Sequence, residues 1–305
     1  MIDIRMTKAQ WAMLVLLSML WGGSFFFVEA ILVDLPPLTL VLGRVTIAAT
    51  CLWVFLLVTR RPLALQPRIW LAFAIMGLLN NLIPFSLIAW GQTEISSGLA
   101  SILNATTPLF AVLVAALWLP DERPGPAKIT GVAIGFVGVV VLIGSDALGG
   151  LGASTMAQAA ILLAAISYAF AGAFGRRFRD YGVDPVMVAA GQLSASAVFL
   201  APVAILIDRP GQMAMPGIAA MLALLGLALF STALAYVLYF RLLAQAGATN
   251  LLLVTFLIPV SAIALGTTFL AEQLSPNEIT GMAIIALGLV VLDGRAWEAT
   301  KRGTA

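Results

Sequence analysis

The chain has no histidine, a single cysteine and few charges, with Asp, Glu, Lys and Arg filling only 10% of its 305 positions. Each shortage excludes something. Without histidine, the commonest acid–base catalyst and metal ligand is missing. The lone Cys51 can form no disulfide within one chain and has no second thiolate with which to hold a metal. No pair of carboxylates lies within an apolar stretch, so the machinery of an intramembrane protease or a lipid-modifying transferase is absent. A net charge of +2 gives no nucleic-acid patch. A water-soluble domain carries about 25% charged residues, and this chain has too few to cover a solvated surface. No enzyme activity, cofactor, metal or nucleic-acid partner is expected.

What the chain has is apolar length. Hydrophobic residues make up 62% of it, and the mean hydropathy is +1.07. About 20 apolar residues cross a hydrocarbon core of roughly 30 Å. Ten such stretches can be read, near 10–29, 36–58, 69–91, 96–119, 127–144, 156–175, 185–207, 216–240, 247–270 and 277–293. The run from Trp11 to Val28 is too long for the usual signal-peptide core of about 7–15 residues, and reads as a retained first helix.

Charge placement tests that count. Fourteen of the sixteen Lys and Arg residues fall on alternate connections: Arg5, Lys8, then Arg60, Arg61 and Arg68, then Arg123 and Lys128, Arg176, Arg177 and Arg179, Arg241, and Arg295, Lys301 and Arg302. The opposite connections carry only Arg209, and Arg44 lies inside a span. Acidic residues divide seven and seven, as expected when only Lys and Arg set topology. Both termini are therefore expected in the cytoplasm.

A long internal repeat organises the spans. Residues 129–142 read ITGVAIGFVGVVVL and residues 279–292 read ITGMAIIALGLVVL, with nine of fourteen positions identical. The expected architecture is an all-α integral membrane protein of ten transmembrane helices. It divides into a first repeat, 1–145, an outer linker, 146–152, and a second repeat, 153–305. Five spans per half is an odd number, so the second copy is inverted relative to the first, an arrangement associated with alternating access. The glycines of the repeated segments (Gly131, Gly135, Gly138, Gly281 and Gly288) suit close helix packing within one chain. A monomer is expected, with a homodimer through these helices as the alternative.

Aligning the halves at an offset of 151 points to a site. Pro108 pairs with Pro259, each about midway along its span, and each frees the carbonyl four residues earlier, at Asn104 and Thr255. Asn80 and Asn81 align with Ser231 and Thr232, and Phe85 aligns with Tyr236. Pro84 is expected to kink the third helix at Asn80. Ser97, Ser101, Asn104 and Pro108 share one helical face, and Thr232, Tyr236 and Tyr239 share another. Polar groups at mid-depth need partners from other helices, water or a ligand. Interhelical hydrogen bonding and a ligand cavity remain alternative readings for each of them. Trp21, followed by Gly22 and Gly23, lies mid-depth in the first helix, and Tyr168 could face it as an opposing aromatic wall. Arg44 lies about 12 Å inside the outer surface, counting along a helix from Pro36, and needs a countercharge or an anionic group. Glu29 is the nearest candidate in sequence, and the repeat counterpart of Arg44 is the neutral Gln192.

These segments resemble the EamA family of the drug/metabolite transporter superfamily over nearly the whole chain. The resemblance rests on WGGSFFF at 21–27, Pro37 with Arg44, ALAYVLYFRLLAQAGAT at 233–249, LIPVSAIALGTTFLAEQLSP at 257–276 and the ITG segments. It implies two EamA repeats around a central cavity and export of small metabolites, with aromatic amino acid exporters of the YddG type among the relatives. Many members carry lysine eight residues after the first-helix tryptophan, where this chain has Glu29.

The expectation is thus a multi-pass transporter of the bacterial inner membrane whose partners are the lipid bilayer and a small-molecule substrate. Amino acids or related amphipathic compounds are the expected cargo; polyspecific drug efflux is the alternative, and a membrane enzyme a remote one. Substrate contact is assigned to Trp21, Asn80, Asn81, Asn104, Tyr168, Ser231, Thr232, Tyr236 and Thr255. Kinks are assigned to Pro84, Pro108 and Pro259, and intramembrane charge to Arg44 and Glu29.

Overall fold

The computed structural model describes residues 6–64, 66–118, 124–143, 152–251 and 253–293. All regular structure among them is helical. Eight helices are long and apolar enough to cross a membrane: α1 (Lys8–Leu32), α2 (Pro37–Val58), α3 (Pro67–Gly91), α4 (Ser97–Trp118), α5 (Pro126–Ile143), α6 (Ala153–Asp180), α7 (Pro185–Ile207) and α8 (Ile218–Gly247). Two shorter apolar helices follow, α9 (Val254–Phe269) and α10 (Pro276–Leu292). The ninth element is shorter than the expected 247–270 because the chain kinks at Gly247, φ 78°, forms a short helical stretch to Leu251, and begins α9 only at Val254. Pro259 therefore sits near the start of α9 rather than midway along it. All but Gly152 of the expected linker lies outside the described residues, as do Arg5, Arg123, Asp146, Arg295, Trp297, Lys301 and Arg302.

Local chemistry sets the helix starts. Pro37, Pro67, Pro126, Pro185 and Pro276 each open a helix, where the missing N–H has no intrahelical acceptor to lose. Thr7 and Gln10 form a reciprocal cap on α1, each side chain accepting from the other's backbone N–H. Asp184 caps α7 by accepting from Val186 N–H and Met187 N–H, and its other oxygen meets the Arg61 guanidinium at 2.9 Å. Large apolar side chains remain exposed all round the bundle, among them Val33, Val58, Leu71, Leu117, Val140, Val198, Leu222 and Phe269. In water this would be an aggregation surface; in a bilayer it is the lipid face.

The helices pair in a pattern that repeats under exchange of each helix with the one five places on. Helix α1 packs on α8 and α9, as α6 packs on α3 and α4; α2 packs on α8, as α7 packs on α3. The pairs α2–α7 and α5–α10 map onto themselves. The two similar segments lie in α5 and α10 and pack directly on one another. A Cβ added at Gly131 would meet Gly288 O and Leu292 N, and one at Gly138 would meet Gly281 O and Ile285 N. Contacts that descend in α10 as they ascend in α5 make this pair antiparallel. Bare backbone at these glycines lets the two helices touch main chain to main chain. Gly22 does the same for α1 and α9, against Ile258 O and Ala262 N.

Two apolar cores result. One gathers α2, α3, α7 and the first half of α8; the other gathers α1, α4, α9 and the inner faces of α5, α6 and α10. Tyr168 packs against both, which marks the seam along which the polar residues lie.

Candidate site between two π-turns

The polar positions of the third and eighth spans share an unexpected backbone feature. Residues Leu78–Leu82 of α3 and Leu229–Leu234 of α8 are π-helical, 151 positions apart. A π-turn inserts an extra residue and releases a backbone carbonyl, and such turns gather at functional sites. They carry Asn80–Asn81 and Ser231–Thr232. The break in α3 is thus a π-turn, with Pro84 just beyond it, rather than a simple proline kink. No proline lies within the α8 turn. Neighbouring hydroxyls take up the carbonyls around each turn. Ser196 donates to Gly77 O at 2.9 Å, Ser167 to Leu79 O at 2.7 Å, and Thr232 to Leu227 O at 2.9 Å.

Each half's second helix then reaches into the other half's π-turn. Gln192 of α7 accepts from Asn80 Nδ2 at 3.2 Å. Arg44 of α2 donates from Nε to Thr232 Oγ1 at 2.9 Å, and its guanidinium carbon lies 3.6 Å above the centre of the Phe85 ring. Tyr236 joins the two sides, its hydroxyl oxygen accepting from Asn80 Nδ2 at 3.1 Å and Asn81 Nδ2 at 2.9 Å. Tyr168 and Tyr236 both lie near Arg44. Six of the residues singled out from the sequence therefore form one cluster: Arg44, Asn80, Asn81, Tyr168, Thr232 and Tyr236.

Trp21 reaches this cluster by a different route from the one expected. Its ring contacts Tyr239 at 5.5 Å, not Tyr168. Tyr239 contacts Phe240 at 5.1 Å, and Phe240 stacks on Tyr236 at 6.2 Å. A continuous aromatic strip thus runs from α1 to the polar centre. Asn104 ends the first segment of α4, where the helix breaks at Ala105 and Thr106 before resuming at Thr107. The carbonyl that Pro108 frees at Asn104 is taken by the Thr107 hydroxyl at 2.7 Å, so it is not held open for a ligand. Thr255 is half-buried in the first turn of α9, and Pro259 is buried within that helix.

The expected Arg44–Glu29 pairing is not formed. Glu29 accepts instead from Gln92 Nε2 at 3.2 Å near the far end of α1. Close by, Glu272 accepts from the backbone N–H groups of Ser97 at 2.8 Å and Gly98 at 3.1 Å, capping α4. The left-handed turn at Ala271, φ 54°, precedes it. Gln192 and Phe85 are the contributors that sequence reasoning did not assign to the site. Alignment did offer both, as the counterparts of Arg44 and Tyr236.

Several site atoms lack a protein partner. Asn81 Oδ1, Asn104 Oδ1 and Ser231 Oγ are buried with no hydrogen bond from the described residues. Buried polar groups are nearly always paired, so three orphaned atoms on residues at mid-span are open valences for water or a ligand. Among the described residues no cluster of His, Cys, Asp and Glu could hold a metal.

A family model described as "EamA-like transporter family" matches residues 9–144 and 155–292. The chain belongs to the EamA-like transporter family. It is similar to the uncharacterized transporter YoaV of Bacillus subtilis, 26% identical over 277 residues, covering 89% of this chain and 92% of that one. It is 28% identical over 281 residues to the uncharacterized inner membrane transporter YedA of Escherichia coli K12, covering 90% and 88%. A protein of Streptantibioticus cattleyicolor named "Probable terminal-alkyne amino-acid exporter" is 28% identical over 307 residues, covering 98% and 99%. One crystal structure superposes with a TM-score of 0.67 at 23% identity, covering 94% of this chain and 96% of the other, a likeness of fold. The EamA-like protein described here is a multi-pass membrane transporter at the family level.

Proposed function

We propose that this EamA-like protein exports small amphipathic metabolites, amino acids or their relatives, from the cytoplasm across a bacterial inner membrane. Ten spans in two inverted halves, 1–145 and 153–305, would alternate access around the cluster between the π-turns, with both termini in the cytoplasm. The antiparallel packing of the two similar segments and the exchangeable helix pairing support the inverted reading. Lys and Arg alternation supports the orientation.

One observation carries the substrate site. Matched π-turns in the two halves bring buried amide and hydroxyl groups together, and Asn81 and Ser231 leave atoms there without partners. The aromatic strip from Trp21 to Tyr236 supplies apolar area beside them. Such a wall suits a cargo with one polar end and one apolar end. The resemblance to a protein named as an amino-acid exporter favours amino acids over unrelated drugs. The test is transport in proteoliposomes by wild type and Asn104→Ala against the proteinogenic amino acids and a set of lipophilic drugs. Amino acid transport that falls at least several-fold in Asn104→Ala, with the variant still folded, is the expected result. Wild-type rates in that variant would remove Asn104 from the site, and transport of drugs alone would favour polyspecific efflux.

A further inference from the structure

The charge of Arg44 is more than its structural position requires. Its side chain is 6% exposed, within an apolar bundle. The guanidinium has five N–H donors, of which Nε–H is used on Thr232. Among the described residues no carboxylate lies within ion-pair distance, and the four N–H groups on the two terminal nitrogens have no hydrogen-bond acceptor. Glu29, the expected partner, is engaged by Gln92.

The other half shows what the same position needs for structure alone. Gln192 occupies the place equivalent to Arg44 and ties α7 to the π-turn of α3 through Asn80. A neutral amide suffices for that tie. The cation is therefore surplus to the helix-to-π-turn link, and a lone charge in a membrane interior is costly unless it is paired. The face of Phe85 softens that cost without neutralising it.

We propose that Arg44 is the anion-binding residue of the central site and that the cargo carries a carboxylate which pairs with it. This deepens the export reading above and rests on it. The two terminal nitrogens present parallel N–H groups, the geometry that takes both oxygens of a carboxylate. The orphaned acceptor Asn81 Oδ1, in the π-turn beside Tyr236, complements an ammonium group. Unsatisfied donors on one residue and an unsatisfied acceptor on another describe a zwitterion. The apolar side chain of that cargo would lie along the strip of Trp21, Tyr239 and Phe240.

The test compares acids with their amides. Wild-type protein and Arg44→Gln, which installs the residue found at the equivalent position, are reconstituted in proteoliposomes. Counterflow of L-phenylalanine and L-leucine is measured against L-phenylalaninamide and L-leucinamide, which keep the amine and side chain but lose the carboxylate. Wild type should prefer each acid over its amide by about tenfold or more, the usual scale of a charge-assisted hydrogen bond. In Arg44→Gln that preference should vanish through loss of acid transport, with amide transport kept. Equal loss of acid and amide, or no change in their ratio, overturns the proposal and makes Arg44 structural. Should Arg44→Gln fail to fold, the wild-type ratio alone decides, since equal transport or a preference for amides refutes carboxylate pairing. If amides and acids are both transported but without discrimination, the export reading stands and this one falls. If wild type moves neither acids nor amides, both fall together.

Discussion

The contact between α5 and α10 offers a clean measurement of what holds the two halves together. At Gly131 an added methyl would lie 2.6 Å from Leu292 N, 2.7 Å from Gly288 O and 2.8 Å from Leu292 Cα. These are backbone atoms in a helix and cannot rotate away. Ordinary carbon contacts are about 3.5–4.0 Å, so the helices must part by roughly 1 Å. Overpacking of this kind costs about 1–3 kcal/mol. Alanine also gains about 0.8–1.0 kcal/mol over glycine in helix propensity, so the raw effect of Gly131→Ala understates the clash. Gly172, in the interior of α6, supplies the control, because nothing lies within 4 Å of a methyl built there. The propensity gain is common to both variants and cancels in their difference. Gly131→Ala should thus be less stable than Gly172→Ala by about 1–3 kcal/mol. Reversible unfolding in mixed micelles with a denaturing detergent measures that difference. Equal unfolding free energies for the two variants would refute the main-chain contact and with it the antiparallel α5–α10 seam.

Two further outcomes are expected. Glu272→Ala removes the acceptor of Ser97 N–H and Gly98 N–H and should destabilise the start of α4 by about 0.5–2 kcal/mol; unchanged hydrogen-exchange protection of those two amides would refute the cap. In a Cys51→Ala background, a cysteine at Glu94 should react with an impermeant maleimide in intact cells, whereas cysteines at Arg60 or Arg176 should react only after permeabilisation; reaction of all three from one side would overturn the charge-derived orientation.

Much of this architecture is local and so could be read along the chain. Apolar runs, helix-opening prolines and the alternation of basic connections each depend on a few neighbouring residues. The mid-depth polar positions were legible too, because an asparagine pair or a Ser–Thr pair inside an apolar run stands out whatever surrounds it. What escaped the sequence is long-range or conformational. Pro84 pointed to a break near Asn80, but the α8 turn contains no proline, and its π-turn shows only in the backbone hydrogen bonds. Pairing across the halves escaped for a related reason. Nothing next to Arg44 in sequence says that it meets Thr232 instead of Glu29, and nothing next to Trp21 says that Tyr239 lies closer than Tyr168. Gln192 was visible as the counterpart of Arg44 by alignment, yet its bond to Asn80 required the fold.

The distribution of similarity between the halves carries a physical argument of its own. Residues 129–142 and 279–292 share nine of fourteen residues because they face one another across the α5–α10 seam, where Gly131, Gly138, Gly281 and Gly288 each meet the backbone of the other segment. A substitution on either side would be felt by both. The site obeys the opposite rule. Its aligned positions pair Asn80 with Ser231, Asn81 with Thr232 and Phe85 with Tyr236 at an offset of 151, and Arg44 with Gln192 when α2 and α7 are counted from their opening prolines, Pro37 and Pro185, so no two are alike. A cluster with identical residues in both halves would offer a cargo two equivalent poses. An amino acid, with different groups at its two ends, gains from a site that is different at its two ends as well. The backbone keeps the symmetry, in the form of two π-turns at one register, while the side chains break it. The sharpest break is charge: one half presents a guanidinium and the other an amide to matching turns. On this reasoning the reciprocal variant, Gln192→Arg in an Arg44→Gln background, should restore binding of a carboxylate only weakly, because Phe85 under the guanidinium is replaced at the matching position by Tyr236, whose hydroxyl is already held by Asn80 and Asn81. Full recovery of acid transport in that double variant would mean that the two halves are interchangeable and that the asymmetry selects nothing.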